Sequence, residues 1–272
     1  MLNFAIKLAK EAGEIILKES KKALKIDKKG LNDLVTNADT KAETYIIKKI
    51  KSSYPSHAIL AEESSFKKEI SVDNYKKADY IWIIDPLDGT TNFAHSLPLY
   101  SVSIGLFKKT SIKSSKNFDY LEGEIIAGVV HAPALNETFS AQKNKGAFLN
   151  GKKIGVSKAK SLRDSLMVTG FPYENKKMNL PYFIIMMDHC QAIRRLGSAA
   201  LDLCYTAAGR FDGYWEFGLK PWDIAAGSLI LKEAGGTVTD VNGNMLDLFG
   251  ADILVSNGKI HKEIIKLFSK IQ

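Results

Sequence analysis

Three acidic clusters are the residues of this chain best suited to chemistry. Glu62 and Asp85 each follow a short apolar run, and Asp88 comes three residues after Asp85. Asp223 lies much later, in a Pro-Trp-Asp sequence. A carboxylate where a buried strand ends lies at the edge of the sheet that α/β proteins use for active sites. We therefore predict that these carboxylates share one small space.

Carboxylates crowded into one space repel one another unless cations hold them. Oxygen-only ligands suit Mg²⁺, Mn²⁺ or Ca²⁺ rather than zinc. The Asp88-Gly89-Thr90-Thr91 sequence adds backbone N–H groups and hydroxyls, which suit an anion such as phosphate. The combination predicts metal-assisted hydrolysis of a phosphate ester.

The composition indicates a globular chain. Its 272 residues, 45% of them hydrophobic, suffice for one large domain or two closely packed ones. Charged side chains interrupt the N-terminus from Lys7, and no apolar run approaches the roughly 20 residues of a membrane span. We expect a cytoplasmic protein without membrane contact. Cys190 and Cys204 have neither metal-ligand nor disulfide spacing.

The net charge of +8 and the pI of about 9.2 raise the question of an acidic partner. The lysines are scattered in short pairs, such as Lys21-Lys22 and Lys152-Lys153, and no basic run alternates with aromatic residues. We therefore expect solvated lysine faces and consider nucleic acid an unlikely partner. The basic exterior would still attract a phosphorylated substrate.

Periodicity predicts a layered α/β protein. An amphipathic helix begins at Leu2, a second follows a capping box of Thr40 and Glu43, and an exposed connection covers residues 110–123. Strands and helices alternate from Leu166, which predicts two parts, residues 1–160 and 161–272. Further helices are expected at 178–190, 198–208, 223–234 and 259–271, and strands at 58–61, 80–84, 100–107, 124–131, 137–141, 166–169, 213–217, 237–240 and 253–256.

Four sequence stretches resemble the inositol monophosphatase family of lithium-sensitive, Mg²⁺-dependent phosphatases. They are DLVTNAD at 33–39, AEES at 61–64, WIIDPLDGTTN at 82–92 and PWDIAAG at 221–227, which runs into EAGG at 233–236. The similarity extends over the whole chain. It implies a five-layer αβαβα sandwich, an α/β fold with α+β layering that is shared with fructose-1,6-bisphosphatase.

The resemblance also implies a ligand set for two or three Mg²⁺ ions, with Mn²⁺ as an alternative. Glu62, Asp85 and the backbone carbonyl of Leu87 would hold one ion. Asp85 would bridge to a second ion, which Asp88 and Asp223 complete. Glu62 and Asp85 thereby count among the catalytic residues.

The remaining site residues follow from the same resemblance. Thr90 and Asp39 match a pair proposed to activate water. Arg194, Arg195 and Lys220 could meet a second phosphate or form salt bridges. The expected substrate contacts are Gly89, Thr90, Thr91, Ser198, Ala199 and Glu216.

Some of these residues have plainer explanations. Asp39 and Asp223 could simply cap helices, and the Asp-Pro-Leu-Asp-Gly sequence could be only a turn. Glu63 could be an exposed structural carboxylate, and His95 is expected to be non-catalytic.

The implied activity is that of a Mg²⁺-dependent phosphomonoesterase, which would hydrolyse inositol monophosphate or a related sugar phosphate with metal-activated water. Fructose-1,6-bisphosphatase or dual activity on the same core is the alternative, and histidinol phosphate and nucleotide 3′-phosphates are further options. The family also suggests a homodimer. Some bacterial relatives bind RNA polymerase or the transcription machinery, so such binding could accompany catalysis.

Overall fold

The computed structural model describes residues 1–22, 26–28, 34–65, 75–114, 119–172, 175–250 and 252–271. Its helices are α1 (Leu2–Glu19), α2 (Asn37–Ser53), α3 (Glu62–Ser65), α4 (Thr90–Ala94), α5 (Leu180–His189), α6 (Ala199–Ala207), α7 (Pro221–Glu233) and α8 (His261–Phe268). None of the described helices combines the length and the apolar composition that crossing a membrane requires.

The strands form three sheets. A small antiparallel pair consists of β1 (Ile26–Lys28) and β2 (Leu34–Thr36). The larger sheets contain β3 (Ala58–Ala61), β4 (Tyr80–Asp88), β5 (Ser101–Ser114), β6 (Asp119–Ala132), β7 (Glu137–Gln142), β8 (Ala147–Leu149) and β9 (Lys152–Lys153), followed by β10 (Leu166–Thr169), β11 (Ala192–Arg194), β12 (Gly213–Phe217), β13 (Thr237–Thr239) and β14 (Asp252–Ser256).

Helices and sheets alternate in five layers. Helices α1 and α2 pack on one face of the seven-stranded sheet, whose strand order runs from β3 to β9. Helices α6 and α7 fill the space between that sheet and the five-stranded sheet, ordered β11-β10-β12-β14-β13. Helices α5 and α8 cover the outer face of the second sheet. The predicted αβαβα sandwich is confirmed.

Small side chains let the central layer fit between two sheets. Helix α7 buries Ala225 and Ala226 completely, and α6 buries Ala200 and Ala207 in the same way. Short side chains bring a helix axis close to a sheet on both sides, so α7 can carry a residue to the end of β4. The fold therefore brings Asp223 of the Pro-Trp-Asp sequence close to the acidic clusters that precede it in the chain.

The predicted start of the second helix was wrong. Helix α2 begins at Asn37, and its N-cap is Thr36, whose hydroxyl accepts a hydrogen bond from the Ala38 N–H at 3.1 Å. Asp39 is the third helical residue and accepts from the Thr36 N–H at 2.8 Å. This capping box forms four residues before the expected one at Thr40 and Glu43, because Thr36 and Asp39 have the same favourable spacing.

The expected connection at residues 110–123 was also wrong where the structure describes it. Strands β5 and β6 extend their antiparallel pairing as far as Ser114 and Asp119. Ile112 pairs with Leu121, which is buried in a core cluster against which Ile112 packs, and the neighbouring Ser111 hydroxyl donates to Glu122 at 2.7 Å. One apolar cross-strand pair in an otherwise polar sequence therefore packs this ladder on the core, while polar pairs such as Ser111 with Glu122 support it alongside.

Candidate active site

Strand β4 positions two of the predicted carboxylates near its end. Its pairing with β5 shifts register between Asp85 and Asp88, so the ladder is irregular there. The Leu87 N–H donates to Asp85 Oδ1 at 2.9 Å and holds that side chain back along the strand. The irregularity frees backbone and side-chain oxygens of this segment from the ladder.

Two further elements bring the other carboxylates to the same place. Strand β3 runs parallel to β4, with Ala61 paired to Ile84, so Glu62 follows directly beside Asp85. Asp223 is the third residue of α7 and accepts from the Lys220 N–H at 2.7 Å. The carboxylate thus satisfies a backbone donor at the start of α7 and faces the end of β4.

Electrostatics shows that these four carboxylates are neighbours. Burial raises the pKa of Asp85 well above its ordinary value, and the charges of Glu62, Asp88 and Asp223 raise it further. Burial likewise raises the pKa of Asp223, with Asp88 and Glu62 adding to the effect. The pKa of Asp88 rises to about 6 through burial, although hydrogen bonds from Ser198 and Ala200 oppose the rise.

The donor set consists of oxygen atoms alone and suits hard divalent cations. Across the described ranges, no three or more His, Cys, Asp and Glu side chains converge as a finished ligand cluster. The carboxylates are adjacent but are hydrogen-bonded to protein groups, as Asp85 is to Leu87 and Asp223 to Lys220. The charge of a divalent cation held among them would relieve their mutual repulsion.

Thr90 and Asp39 meet although they are far apart in sequence. The Thr90 hydroxyl lies 3.1 Å from Asp39 Oδ1 and 2.9 Å from the Leu87 carbonyl oxygen. Asp39 is fully buried, and its other oxygen accepts from the Thr36 N–H and hydroxyl at 2.8 and 2.6 Å. Asp39 therefore both closes the start of α2 and contacts the hydroxyl beside the carboxylate cluster.

The chain turns sharply between the cluster and Thr90. Gly89 has φ of 90°, and a Cβ there would lie 2.8 Å from the Leu99 carbonyl oxygen. Only glycine fits this conformation beside that backbone. The short helix α4 then begins at Thr90 and leaves Thr91 partly exposed.

The start of α6 holds Asp88. The Ser198 hydroxyl donates to Asp88 Oδ2, and the Ala200 N–H donates to the same oxygen at 2.9 Å. The Ala199 N–H also favours the charged form of Asp88. In this structure the polar groups of Ser198 and Ala199 position a carboxylate of the cluster, and their predicted contacts with substrate stay a prediction.

Glu216 lies on β12, on the second sheet, and faces the same region. The Tyr214 hydroxyl donates to Glu216 Oε2 at 2.7 Å. Burial raises the pKa of Glu216 to about 7, while Tyr214 and the charge of Arg195 oppose the rise. A Cβ on Gly170 would lie 2.1 Å from the Glu216 carboxylate oxygens, so that glycine leaves the space Glu216 occupies.

The structure also separates residues whose roles the sequence left open. The Arg195 side chain lies over its own loop: its Nη1 atom is so close to Gly197 that a Cβ built there would lie 2.6 Å from it. Arg194 is exposed and donates to the Ile193 carbonyl at 3.0 Å. Lys220 supplies its backbone N–H to Asp223. Of the two arginines, Arg195 is thus the one whose charge acts on Glu216.

Sequence reasoning missed three buried polar residues around the site. Glu43 accepts from the Glu63 N–H at 2.8 Å and so ties α2 to α3, and its place four residues after Asp39 on one helix face was the available signal. Asn92 donates to the carbonyls of Leu99 and Leu196 at 2.7 and 2.8 Å. Asp202 is 1% exposed, and its Oδ1 has no hydrogen-bond partner among the described residues.

Comparison with known proteins agrees with this geometry. The model of the inositol monophosphatase family matches residues 1–272. The Nus factor SuhB of Pasteurella multocida is 42% identical, with 100% of this chain and 96% of that protein covered. A chloroplastic phosphatase of Arabidopsis thaliana is 39% identical over 95% of this chain and 67% of its own length.

Solved structures show the same similarity. An IMPase from Thermotoga maritima has a TM-score of 0.85 and 38% identity, with 99% of this chain and 97% of that chain covered. The extragenic suppressor protein suhB from Bartonella henselae has a TM-score of 0.86 and 36% identity, with 98% of each chain covered. On its sequence motifs, its five layers and these matches, the chain belongs to the inositol monophosphatase family.

Proposed function

We propose that this protein is a Mg²⁺-dependent phosphomonoesterase that acts on inositol monophosphate or a related sugar phosphate. The observation that carries the proposal is the group of mutually repelling carboxylates around buried Asp85. A purely structural protein would gain nothing from burying acids that raise one another's pKa. A cation bound between them would neutralise their charges, so the repulsion between the free carboxylates would favour binding of the cation.

The ions would be held by Glu62, Asp85, Asp88 and Asp223 together with the Leu87 carbonyl oxygen. Two or three Mg²⁺ ions fit this donor set, and Mn²⁺ could replace them. When bound, they supply positive charge that polarises the phosphate and promotes ionisation of the attacking water.

The chain's own residues position the reactants. Thr90 and Asp39 form a hydrogen-bonded pair in which the hydroxyl can take up the proton of an attacking water while passing its own to the carboxylate. Asp39 keeps its place through the two bonds from Thr36. Gly89, Thr90 and Thr91 would hold phosphate oxygens, and Glu216 would accept hydrogen bonds from substrate hydroxyls.

A phosphate-release assay separates the candidate substrates. Purified protein with Mg²⁺ is given inositol 1-phosphate, fructose 1,6-bisphosphate, histidinol phosphate and 3′-phosphoadenosine 5′-phosphate, each with and without Li⁺. We expect the highest kcat/KM with inositol 1-phosphate and inhibition by Li⁺. A clear preference for fructose 1,6-bisphosphate would favour the alternative, and no release from any of the four would refute the proposal.

A second role has support from the names of relatives. Similar proteins from Pasteurella multocida and Escherichia coli are named Nus factor SuhB. We therefore propose that the chain also associates with transcription machinery, which weakens the expectation that nucleic acid is an unlikely partner. A pull-down from cell extract with the wild type and with Asp85→Asn tests it. Capture of RNA polymerase by both would show that binding is independent of catalysis.

The homodimer implied by the family stays a prediction. Helix α5 exposes apolar side chains at Leu180, Ile184 and Met187, which are 47%, 49% and 56% exposed. These positions follow one another at helical spacing and form a stripe. Sedimentation of the wild type beside Ile184→Lys tests whether this stripe is the contact between copies.

A further inference from the structure

Many of the protein's exposed lysines lie on the outer face of the helical layer α1–α2. The two helices and the turn after α1 contain nine lysines, all exposed: Lys7, Lys10, Lys18, Lys21, Lys22, Lys41, Lys48, Lys49 and Lys51. The acidic side chains among them are Glu11, Glu14 and Glu19, whereas Asp39 and Glu43 are buried at the candidate active site. Without these two buried acids, nine lysines and three glutamates leave six positive charges on the face. With them, the formal net charge of these segments is +4, half of the +8 of the whole chain.

These lysines were scattered in the sequence, and the fold collects them on one side. In α1, Lys7, Lys10 and Lys18 lie opposite the buried stripe that includes Ala5, Ala12 and Ile16. In α2, Lys41, Lys48 and Lys51 lie opposite Ala42, Ile46 and Ile50, and Lys49 lies beside that stripe. Both buried stripes pack on the same face of the seven-stranded sheet, so both lysine stripes point away from it.

The two helices lie side by side in opposite directions. Phe4 near the start of α1 contacts Tyr54 after the end of α2, with ring centroids 5.1 Å apart. Glu19 at the end of α1 accepts from Asn37 and from Lys41 Nζ, at 2.5 and 2.8 Å, at the start of α2. The basic face therefore runs along the whole length of α1, which at 18 residues is about 27 Å.

Internal ion pairs account for only part of this charge. Lys22 and Lys41 both pair with Glu19, at 2.7 and 2.8 Å, and Lys7 approaches Glu11 at 3.9 Å. Within the residues that the structure describes, Lys10, Lys18, Lys48 and Lys51 have no such partner. These four side chains are free to contact an external anion.

We propose that the outer face of α1 and α2 binds the phosphodiester backbone of a nucleic acid. About 27 Å corresponds to about eight nucleotide steps at 3.4 Å along one strand of a helix, so several lysines can each neutralise a phosphate. Few exposed aromatic rings lie among the lysines. Recognition therefore rests on charge and depends little on the base sequence. The inference does not depend on the phosphatase activity.

An anionic membrane is the competing partner for a basic helical face, and the side chains argue against it. Interfacial helices insert large apolar residues between their basic ones. The large exposed apolar residues of the described chain are elsewhere, on α5 and in loops, apart from Met1. A basic face without such residues suits a hydrated polyanion.

Fluorescence anisotropy tests the proposal with a fluorescein-labelled 20-nucleotide single-stranded RNA and with DNA of the same sequence, between 50 and 200 mM salt. The test variant replaces Lys10, Lys18, Lys48 and Lys51 with Gln and leaves the lysines bound to Glu19 intact. The control replaces four exposed lysines elsewhere with Gln, namely Lys152, Lys153, Lys262 and Lys266, and changes the net charge equally. Phosphatase activity and the melting temperature verify that both variants are folded.

The wild type is expected to bind both strands at 50 mM salt, and the test variant about tenfold more weakly or worse. The slope of log affinity against log salt should fall by about 3, because each lost phosphate contact on a single strand removes about 0.7. The control should stay within twofold of the wild type. Tighter binding of RNA than of DNA would support the proposal and would identify RNA as the preferred nucleic acid.

Three outcomes would overturn the proposal. One is no binding by the wild type at 50 mM salt, and another is an equal loss in both variants, which would mean that net charge alone acts. The third is binding to vesicles containing 30% phosphatidylserine without binding to either strand, which would assign the face to a membrane.

Discussion

Thr90 and Asp39 act in this account as a single unit. The hydroxyl contacts Asp39 at 3.1 Å, and the carboxylate is fully buried, so neither residue can be replaced without changing the other's partner. Asp39 also caps α2 through Thr36, which is why the sequence alone supported two explanations for it. The structure contains the contacts that each explanation requires, and kinetics can show whether Asp39 also takes part in catalysis.

We predict that Thr90→Val and Asp39→Asn each lower kcat about 100-fold or more, with a smaller change in KM, because both remove the proton acceptor. The double substitution should cost little beyond the worse single one, as parts of one catalytic unit are non-additive. Steady-state kinetics with Mg²⁺ measures these values. Thr90→Ser is the matched control and should keep much of the rate, and an active Asp39→Asn enzyme would reduce Asp39 to a helix cap.

Gly170 offers a test of substrate recognition by Glu216. A Cβ at position 170 would lie 2.1 Å from the carboxylate oxygens, so Gly170→Ala must displace Glu216. We expect KM to rise roughly tenfold, the equivalent of one lost hydrogen bond, with a smaller effect on kcat. Gly155→Ala is the control, because a Cβ there has its nearest neighbour at 3.6 Å. Equal KM values for the two variants would remove Glu216 from the substrate site.

At the scale of elements, the sequence predicted the helices and strands whose pattern arises from burial. The strand 58–61 and the helix starting at Leu2 were confirmed, because their apolar residues face a core. Prediction failed in two places: the start of α2 depends on the cap formed by Thr36, and the long β5–β6 pairing depends on the cross-strand contacts of Ser111 with Glu122 and of Ile112 with Leu121. The helix face of Glu43 could be read from its spacing to Asp39, but its contact with the Glu63 N–H and the burial of Asp202 depend on which elements the fold brings together.

Glu233, which the EAGG sequence contains, has a structural role that the sequence did not reveal. Its carboxylate accepts from the N–H groups of Asn144, Lys145 and Gly146 at 2.7, 3.0 and 2.8 Å. It thereby fastens the turn between β7 and β8 to the end of α7. The turn between β7 and β8 contains none of the candidate active-site residues.

We predict that Glu233→Ala lowers the free energy of unfolding by about 2 kcal/mol, because three donors lose a charged acceptor. Urea unfolding followed by circular dichroism measures the change, and kcat should be unaffected. Glu263→Ala provides the comparison, since that exposed carboxylate makes a single long contact of 3.3 Å with the Leu162 N–H. A loss no larger than that of Glu263→Ala would contradict the role of Glu233.

At the scale of the whole molecule, two buried histidines couple the fold to pH. His131 contacts the Glu137 carbonyl and the Thr138 hydroxyl at 3.2 and 3.0 Å, and His261 contacts the hydroxyls of Ser256 and Thr239 at 3.0 Å each. Burial lowers the pKa of both from 6.5 to about 4. The folded state therefore binds these protons more weakly than the unfolded chain does.

Stability should be intact above about pH 6.5 and decline as the pH falls toward 4. We predict that each histidine accounts for about 2 kcal/mol of the loss between pH 7 and pH 5. His131→Gln and His261→Gln should each flatten the dependence by that amount in urea unfolding, whereas exposed His189→Gln should not change it. Because the acidic cluster is common to all variants, a flattening shared with His189→Gln would contradict the assignment.

The central claim is that the protein hydrolyses phosphate monoesters with a divalent cation that the carboxylates around Asp85 hold. The most direct measurement is the initial rate of phosphate release from inositol 1-phosphate as Mg²⁺ is added to metal-free protein, for the wild type and Asp85→Asn together. We predict that the rate of the wild type rises to saturation with Mg²⁺ and falls again when EDTA is added. At saturating Mg²⁺, the rate of Asp85→Asn should be lower by a factor of about 100 or more. Full wild-type activity in excess EDTA, or near-normal turnover by folded Asp85→Asn, would contradict the account.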